Sequence, residues 1–376
     1  MYSENMSANY QPNTKADKTI LFLALGLLIF GLIMIMSTSN IIGFKVYNDS
    51  YYFVKRHLFF MFVGAVFFLI AYNTPHKLWR NYSLHIWLVA IFMVLLTYIP
   101  HVGSIAGGSS RWISLLGFRF QPSDVLKFSL VLLLADLLDN NREQMKNYKR
   151  ILPSLVIFAG LSIALVLKQP DLGTSIVLFG ITFALLLVAG FPMGFLLILI
   201  PSAIFFVIAN IIKNPYQLKR VLAFIDPWQD PLGKGFHVIQ SLIAVATGGL
   251  FGLGLGQSRQ KFFYLPQQYT DFIFSIIAEE FGFIFTSVFI IVYLLFIARS
   301  FIVAIRTPDL YSKLLCVGIT CWIAFQFIIN VSVTINLMPT KGITLPFISF
   351  GGTSLVMVMF AVGVVCNISR YRNTTE

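Results

Sequence analysis

Residues 261–282 read KFFYLPQQYTDFIFSIIAEEFG, and they mark the edge of a long apolar run. If the run is a membrane helix, one face carries Asp271, Ser275, Glu279 and Gly282, because residues three or four apart are helix neighbours. Glu279 then lies roughly 12 Å beyond Asp271 along the axis. Because an ionised side chain at that depth needs water or a partner, we expect this face to line the interior or a wet cavity.

The composition around this stretch places the chain in a membrane. Of its 376 residues, 57% are hydrophobic and 11% charged, and the mean hydropathy is +0.82. A soluble protein could not bury so much apolar surface, which excludes that class. The three cysteines fall inside apolar stretches without metal-ligand spacing, so we interpret them as buried small residues.

Ten apolar stretches predict about ten transmembrane helices and an all-α fold, since each is near the length that crosses about 30 Å of hydrocarbon. The predicted stretches are Lys18–Asn40, His57–Asn73, Ser83–Pro100, Val125–Leu138, Leu152–Lys168, Gly173–Gly190, Gly194–Ile212, Phe272–Arg299, Lys313–Leu337 and Ile343–Ile368. The first is too long for a secretory signal and is expected to be retained. Residues 18–368 form one predicted domain between cytoplasmic tails at 1–17 and 369–376.

Basic residues set the predicted orientation. With both termini in the cytoplasm, 13 Lys and Arg residues lie on that side and 7 lie in the short loops opposite, in keeping with the positive-inside rule. The segment 213–271 is then a large extracytoplasmic loop. Within it, the glycine-rich Gln240–Gly256 is too short to cross, so we expect a re-entrant or interfacial helix. The basic charge of this loop suits a phosphate-bearing ligand or anionic lipid headgroups.

Polar residues in other helices mark further candidates. Asp124 and Lys127 are three residues apart on the fourth helix and are expected to pair, either as a structural brace or for function. Arg111 and Trp112 lie at the outer interface, where a tryptophan anchor and ligand contact are both reasonable.

The last two helices add a polar face and a cluster of small residues. Gln326, Asn330 and Thr334 recur every four residues on the ninth helix, which favours hydrogen bonding between helices. The tenth is expected to begin in the LPFISFGGTS stretch, where Ser349 and Thr353 could line a cavity.

Six stretches carry a resemblance to a known family. They are SRWI at 110–113, QPSDVLK at 121–127, QPDLGT at 169–174, DPW at 226–228, GLGLGQSRQK at 252–261 continuing through YLP at 264–266 to TDFIF at 270–274, and LPFISFGGTS at 345–354. Together they resemble the SEDS (shape, elongation, division and sporulation) family of peptidoglycan polymerases. The sequence of residues 252–261 resembles the division branch of the family more than the elongation branch.

The resemblance implies a peptidoglycan glycosyltransferase that polymerises lipid II outside the cytoplasmic membrane of a bacterium, at the division septum. It also implies a class B penicillin-binding protein as partner. Asp271 matches the family's catalytic residue, and Asp124 with Lys127 matches its acid and lysine pair. Two positions depart from the family pattern, because Asp124 and Gln267 stand where glutamate is usual. The neutral Gln267 argues against a required base or metal ligand at that position.

A mechanism consistent with these residues uses Asp271 as the base for the acceptor hydroxyl, desolvated by its aromatic neighbours. Candidate phosphate contacts are Arg56, Arg111, Lys127 and Lys261, alone or with a divalent ion such as Mg²⁺ or Mn²⁺. The remaining candidate substrate-binding residues are Trp112, Asp124, Gln169, Asp171, Glu279, Ser349 and Thr353. One displacement would invert the anomeric centre, so no second carboxylate is needed.

Competing functions remain at the level of sequence. A lipid II flippase or other transporter would also place charges at depth, but connected to both faces of the membrane. An elongation-type polymerase would share the chemistry. A scaffold that recruits a division partner would leave the carboxylate face unexplained. The crowding of unusual residues toward the outer surface favours polymerisation.

Overall fold

The computed structural model describes residues 15–100, 102–106, 109–115, 118–233, 235–262 and 265–372. Most of the predicted N-terminal tail, the end of the predicted C-terminal tail and Tyr264 of the YLP stretch lie outside the described residues. A helix occupies each of the ten predicted apolar stretches, and the helices pack into one bundle. The chain is an integral membrane protein.

The helices are bounded as follows: α1 Lys18–Tyr47, α2 Tyr52–Asn73, α3 His76–Asn81, α4 Ser83–Leu96, α5 Pro122–Asn140, α6 Leu152–Leu155, α7 Leu161–Lys168, α8 Leu172–Val188, α9 Met193–Lys213, α10 Pro215–Ile225, α11 Phe236–Thr247, α12 Ile273–Arg306, α13 Leu310–Thr334 and α14 Gly352–Ile368. A π-helical turn, Val156–Gly160, joins α6 to α7. Among the described residues, six helices have the length and apolarity to cross a membrane: α1, α2, α9, α12, α13 and α14. Both α13 and α14 are largely buried, whereas α9 lies at the periphery.

A small sheet departs from the all-α prediction. Between α4 and α5, the strands β1 (Gly103–Ala106), β2 (Ser109–Leu115) and β3 (Phe118–Phe120) pair antiparallel in the order β1-β2-β3. Their backbone groups bond to one another, which satisfies them without a helix. The sheet places Arg111 and Trp112 on β2 and Arg119 on β3.

One predicted shared helix face and one predicted helix start are wrong, and both errors concern the site. Helix α12 begins at Ile273, so Asp271 precedes the helix and does not share its face with Glu279. Helix α14 begins at Gly352 instead of near Ile343, because Pro346 has no N–H to donate and Phe347 adopts a positive φ of 66°. Residues 343–351 therefore form a non-helical strap before α14.

The re-entrant element is confirmed in part. Helix α11 has 12 residues, about 18 Å, which is too short to cross, and it packs against α12. The glycine-rich residues that follow are not helical, contrary to the predicted extent. They lie against a break in α12 at Gly282, where φ is 74° and ψ is −177°.

This break leaves backbone groups that the glycine-rich loop satisfies. The N–H groups of Leu253 and Gly254 donate to the carbonyl oxygens of Glu279 and Glu280, at 3.0 and 2.9 Å. In return, Phe283 N–H donates to Gly249 O at 2.9 Å. The loop thus substitutes for the missing turn of helix.

Charged residues gather at the end of the bundle that holds both termini. Asp17 caps α1 and accepts from the guanidinium groups of Arg299, at 2.9 Å, and of Arg372. The chain's first and last described segments are therefore joined. Helix α1 carries the chain from this end to the opposite end, where the cavity described below opens.

Candidate active site

A cavity of about 550 Å³ lies at the end of the bundle opposite the termini. Its wall is assembled from β2, β3, α2, α5, α10, the turn before α12 and the strap before α14. Five cationic side chains line it: Arg56, Arg111, Arg119, Lys127 and Arg220. Asp271 and Asp124 supply its carboxylates.

The backbone around Asp271 is held from two sides. Asn330 Nδ2 on α13 donates to Asp271 O at 2.9 Å and to Ile343 O at 2.7 Å. From the strap, Ser349 Oγ donates to Thr270 O at 2.6 Å, and Phe350 N donates to Tyr269 O at 2.8 Å. The turn that carries Asp271 is therefore fixed by tertiary contacts and not by helix α12.

The carboxylate of Asp271 faces the cavity without a direct partner. Within the described parts of the chain, it makes no hydrogen bond or ion pair, and the backbone of Gly342 lies beside it. Burial raises the pKa of Asp271 to about 6, although the positive charges of Arg220 and Arg111 act in the lowering direction. A carboxylate with this pKa is mostly ionised at pH 7 and accepts a proton more readily than an exposed aspartate does.

Two arginines near Asp271 are oriented by backbone carbonyl groups. Arg111 donates to Gln169 O at 3.2 Å and to Pro170 O at 2.5 Å, and its Nη1 lies 3.8 Å from Asp171 Oδ1. Arg220 donates to Thr340 O at 3.2 Å and to the hydroxyl of Tyr216 at 2.5 Å. Both guanidinium groups are preorganised to face an anion in the cavity.

The expected pair on the fourth helix is confirmed. Lys127 Nζ lies 2.7 Å from Asp124 Oδ1, and both side chains are buried at the cavity wall. Thr353 Oγ1 donates to Asp124 Oδ2 at 3.0 Å, which ties α5 to α14. Asp124 therefore divides its two oxygens between a cation and a hydroxyl.

Several predicted substrate-binding residues lie behind the cavity wall. Gln169 donates its side-chain amide to Thr97 Oγ1 at 2.6 Å, and Asp171 caps α8 by accepting from Thr174 N at 3.1 Å. Ser349 holds Thr270, and Thr353 holds Asp124. Of the predicted contacts, Arg56, Arg111, Trp112, Asp124 and Lys127 do line the cavity.

Lys261 and Glu279 do not line the described cavity, so their role in substrate binding stays a prediction. Lys261 Nζ lies 3.2 Å from Glu280 Oε1 and also donates to Gly256 O. Glu279 accepts from Ser258 Oγ and from Arg259 N. All three charged side chains are buried where the loop meets α12, and they hold the loop against the broken helix. These side chains lie apart from Asp271 because the glycine-rich loop packs back across α12.

Comparison with known proteins identifies the family. Residues 18–374 match the FtsW/RodA/SpoVE family of cell cycle proteins. The chain belongs to this family. It is 39% identical to stage V sporulation protein E of Bacillus subtilis over 360 residues, covering 95% of this chain and 98% of that protein. Similar relatives named probable peptidoglycan glycosyltransferase FtsW occur in Geobacter metallireducens, 35% identical over 372 residues, and in Trichlorobacter lovleyi, 38% over 354.

These relatives match the chain over almost its whole length. The Geobacter protein alignment covers 97% of this chain and 98% of the relative, and the Trichlorobacter alignment covers 94% and 93%. One solved structure, a chain of a peptidoglycan synthase complex that coordinates polymerization and crosslinking, superposes with a TM-score of 0.78 at 28% identity, covering 96% and 99%. RodA of Thermus thermophilus shares the fold, with a TM-score of 0.71 at 24% identity, covering 96% and 98%.

The family confirms the resemblance read from the motifs. Relatives named FtsW support the likeness to the division branch, and a sporulation protein is similar to a comparable extent. Several relatives are named as glycosyltransferases, which agrees with the predicted class of enzyme.

The predicted site lacks several residues that form or support the cavity. Arg119, Arg220 and Gly342 line the cavity, and Asn330 holds Asp271, although its face was interpreted as a contact between helices. The charges of Arg119 and Arg220 are visible in the sequence, but their positions depend on β3 and α10. The spacing of Tyr216 and Arg220, four apart on α10, was the available signal.

The predicted divalent ion can be tested against these residues. No group of three or more His, Cys, Asp or Glu side chains is close enough to hold a metal in the described ranges. Mg²⁺ is often held by one or two carboxylates with substrate phosphates, and Asp271 is the carboxylate available for that. The described residues therefore offer no dedicated ligand set for a metal ion.

Proposed function

We propose that this chain polymerises lipid II, an undecaprenyl-diphosphate-linked disaccharide, into glycan strands at the outer face of the cytoplasmic membrane, during septal wall synthesis. The observation that carries the proposal is Asp271, an unpaired carboxylate in a cavity lined by five cations. Such a site offers a base for a hydroxyl and positive charge for a departing diphosphate.

The reaction is a single displacement. The acceptor hydroxyl oxygen attacks the anomeric carbon of the donor, and its proton passes to the carboxylate of Asp271. The bond from that carbon to the diphosphate oxygen breaks, and the diphosphate leaves with the electron pair. The configuration inverts, so an α-linked donor becomes a β-linked strand.

The test is strand synthesis from lipid II by the purified full-length chain, alone and with a class B penicillin-binding protein, the proposed partner. Asp271→Asn removes the base with little change in size, so strand synthesis should fall at least about 100-fold. Asp49→Asn is the matched control, because Asp49 makes an exposed ion pair with Lys55 at the same end of the bundle. Strand synthesis by Asp271→Asn at the wild-type rate would refute the base.

A lipid II flippase is the competing function. Translocation of labelled lipid II by the purified chain in vesicles, measured beside strand synthesis, separates the two. The proposal predicts strands without transbilayer movement in wild type and neither in Asp271→Asn. Movement that survives Asp271→Asn, with no strand formed by wild type, would favour the transporter.

A further inference from the structure

A small recess of about 50 Å³ adjoins the cavity and shares four of its residues: Arg111, Tyr216, Arg220 and Gly342. Its other polar lining residues are Lys341, Asp171, Gln217 and Thr340. The volume is too small for a sugar ring but comparable to a few water molecules, so a phosphate-sized group suits it. Lys341 was not among the predicted site residues.

Lys341 carries an ammonium group that makes no direct contact with an anion in the described part of the chain. In the segments that the structure describes, its ammonium makes no hydrogen bond and no ion pair, although the residue is partly buried. A buried charge is costly unless it is paired and hydrogen-bonded. Burial lowers the pKa of Lys341 to about 8, while the charge of Asp171 opposes the shift.

The charge of the recess is unbalanced. Three cations, Arg111, Arg220 and Lys341, meet one carboxylate, Asp171, which leaves a net charge of +2. Asp171 is already engaged, because it accepts from both the N–H and the hydroxyl of Thr174, at 3.1 and 2.9 Å. A dianionic group would neutralise the recess and give Lys341 its missing acceptor.

We propose that this recess holds one phosphate group of the departing diphosphate of the glycosyl donor, with Lys341 and Arg220 as its binding cations. The inference rests on the proposed function. Gly342 joins the recess to the reaction centre, since its backbone lies beside the Asp271 carboxylate.

The position of the recess indicates that it binds the diphosphate of the donor and not that of the acceptor. Lipid II carries a diphosphate in both roles, but the acceptor's diphosphate is separated from its reacting hydroxyl by a whole disaccharide. The donor's diphosphate is bonded to the carbon under attack, and reacting atoms are held about 3 to 3.5 Å apart. A phosphate beside Asp271 is therefore the leaving group, which departs as its bond to the anomeric carbon breaks.

The experiment compares Lys341→Met with Lys341→Arg in the full-length chain. A lipid II analogue with its terminal 4-hydroxyl blocked serves only as donor, so its KM can be measured separately from that of unmodified lipid II as acceptor. We expect Lys341→Met to raise the donor KM and to weaken inhibition by undecaprenyl diphosphate about 10- to 100-fold. Lys341→Arg should retain most of the donor affinity and most of the inhibition by undecaprenyl diphosphate.

Controls keep the outcome interpretable. Lys219→Met removes an exposed cation on α10 next to Arg220. It should change neither the donor KM nor the inhibition by undecaprenyl diphosphate. Undecaprenyl monophosphate, which has one phosphate fewer, should inhibit less than the diphosphate in wild type, and Lys341→Met should shrink the difference. An unchanged donor KM in a folded Lys341→Met variant would overturn the site, and a rise confined to the acceptor would overturn the donor assignment.

The pH dependence gives a second readout. The charged or titratable groups facing Lys341 are Asp171, Arg111, Arg220 and Tyr216. Asp271 titrates near pH 6, below the range from pH 7 to 9 in which Lys341 loses its proton. Inhibition of wild type by undecaprenyl diphosphate should weaken from pH 7 to 9 as Lys341 loses its proton, and Lys341→Arg should remove the trend. A flat wild-type profile would count against Lys341. If wild type polymerises lipid II and Lys341→Met has wild-type kinetics, only the proposed recess is refuted. Strand synthesis by Asp271→Asn would instead refute the proposed function.

Discussion

At the scale of single residues, the site depends on a carboxylate that is desolvated but not paired. Asp124 resembles Asp271 in chemistry, yet Lys127 and Thr353 occupy its oxygens. Asp271 keeps both oxygens toward the cavity, and burial makes it more basic than an exposed aspartate. The two aspartates thus differ in role because their surroundings differ.

The raised pKa of Asp271 predicts an acid limb in the rate profile. The base must be deprotonated, so kcat/KM for strand synthesis should be highest near pH 7 and fall about tenfold per pH unit well below pH 6. Strand synthesis by wild type and by the Asp49→Asn control, measured from pH 5 to 8, checks this. A profile that stays level down to pH 5 would contradict the assignment.

At the scale of elements, the break in α12 and the loop that covers it form one unit. A Cβ on Gly252 would lie 2.3 Å from Glu280 O, and the residue has a φ of +80°. The close approach allows the loop's N–H groups to reach the carbonyl groups freed at Gly282. Buried Lys261 and Glu280 reinforce the same contact.

Gly252→Ala should therefore destabilise the protein. The positive φ and the clash with Glu280 O together should cost about 1–3 kcal/mol or more. The control is Gly26→Ala, because Gly26 is exposed on α1 with nothing within 4 Å of an added Cβ. Thermal unfolding in detergent should show a lower Tm for the first variant and no fall for the second. Equal Tm values would contradict the packing.

Substitutions can distinguish a structural role of the buried Asp124–Lys127 pair on α5 from a role in activity. Lys127→Met leaves the Asp124 carboxylate buried without its cation, which should cost about 3–5 kcal/mol. Combining it with Asp124→Asn removes the stranded charge and should recover most of the Tm.

Strand synthesis by that double variant decides between the two roles. If Lys127 contacts substrate in the cavity, the stable double variant should remain at least about tenfold slower than wild type. Wild-type activity in the double variant would make the pair a structural brace only.

At the scale of the whole molecule, charge is divided between the two ends of the bundle. Asp17, Arg299 and Arg372 join at the end with the termini, whereas Arg111, Arg220 and Asp271 gather at the other. Positive-inside bias predicts that the first end faces the cytoplasm. The proposed polymerisation requires that assignment, since it places the cavity outside.

Labelling of introduced cysteines tests the topology. Leu232 is 90% exposed in the loop at the cavity end, and Glu143 is exposed at the end with the termini. The native cysteines Cys316, Cys321 and Cys366 are buried, so background labelling should be low. A membrane-impermeant maleimide should label Leu232→Cys but not Glu143→Cys in intact spheroplasts, and both after lysis. The reverse pattern would place Asp271 in the cytosol and defeat the proposed function.

Much of this protein is determined by local sequence. The apolar runs locate the ten helical stretches because hydrocarbon requires each backbone group to bond within its own segment. The spacing of Asp124 and Lys127 determines their ion pair, since residues three apart on a helix are neighbours. Motif wording identifies the family and Asp271.

Only the tertiary structure decides the composition of the site. Asp271 lies before α12 because Asn330 and the strap bind the turn, whereas apolarity alone would extend the helix. Lys261 and Lys341 are both lysines beside family motifs, yet one pairs with Glu280 and the other faces the recess. The difference arises because backbone groups left unpaired at Gly282 draw the glycine-rich loop to α12, and such long-range bonding has no signature in local spacing.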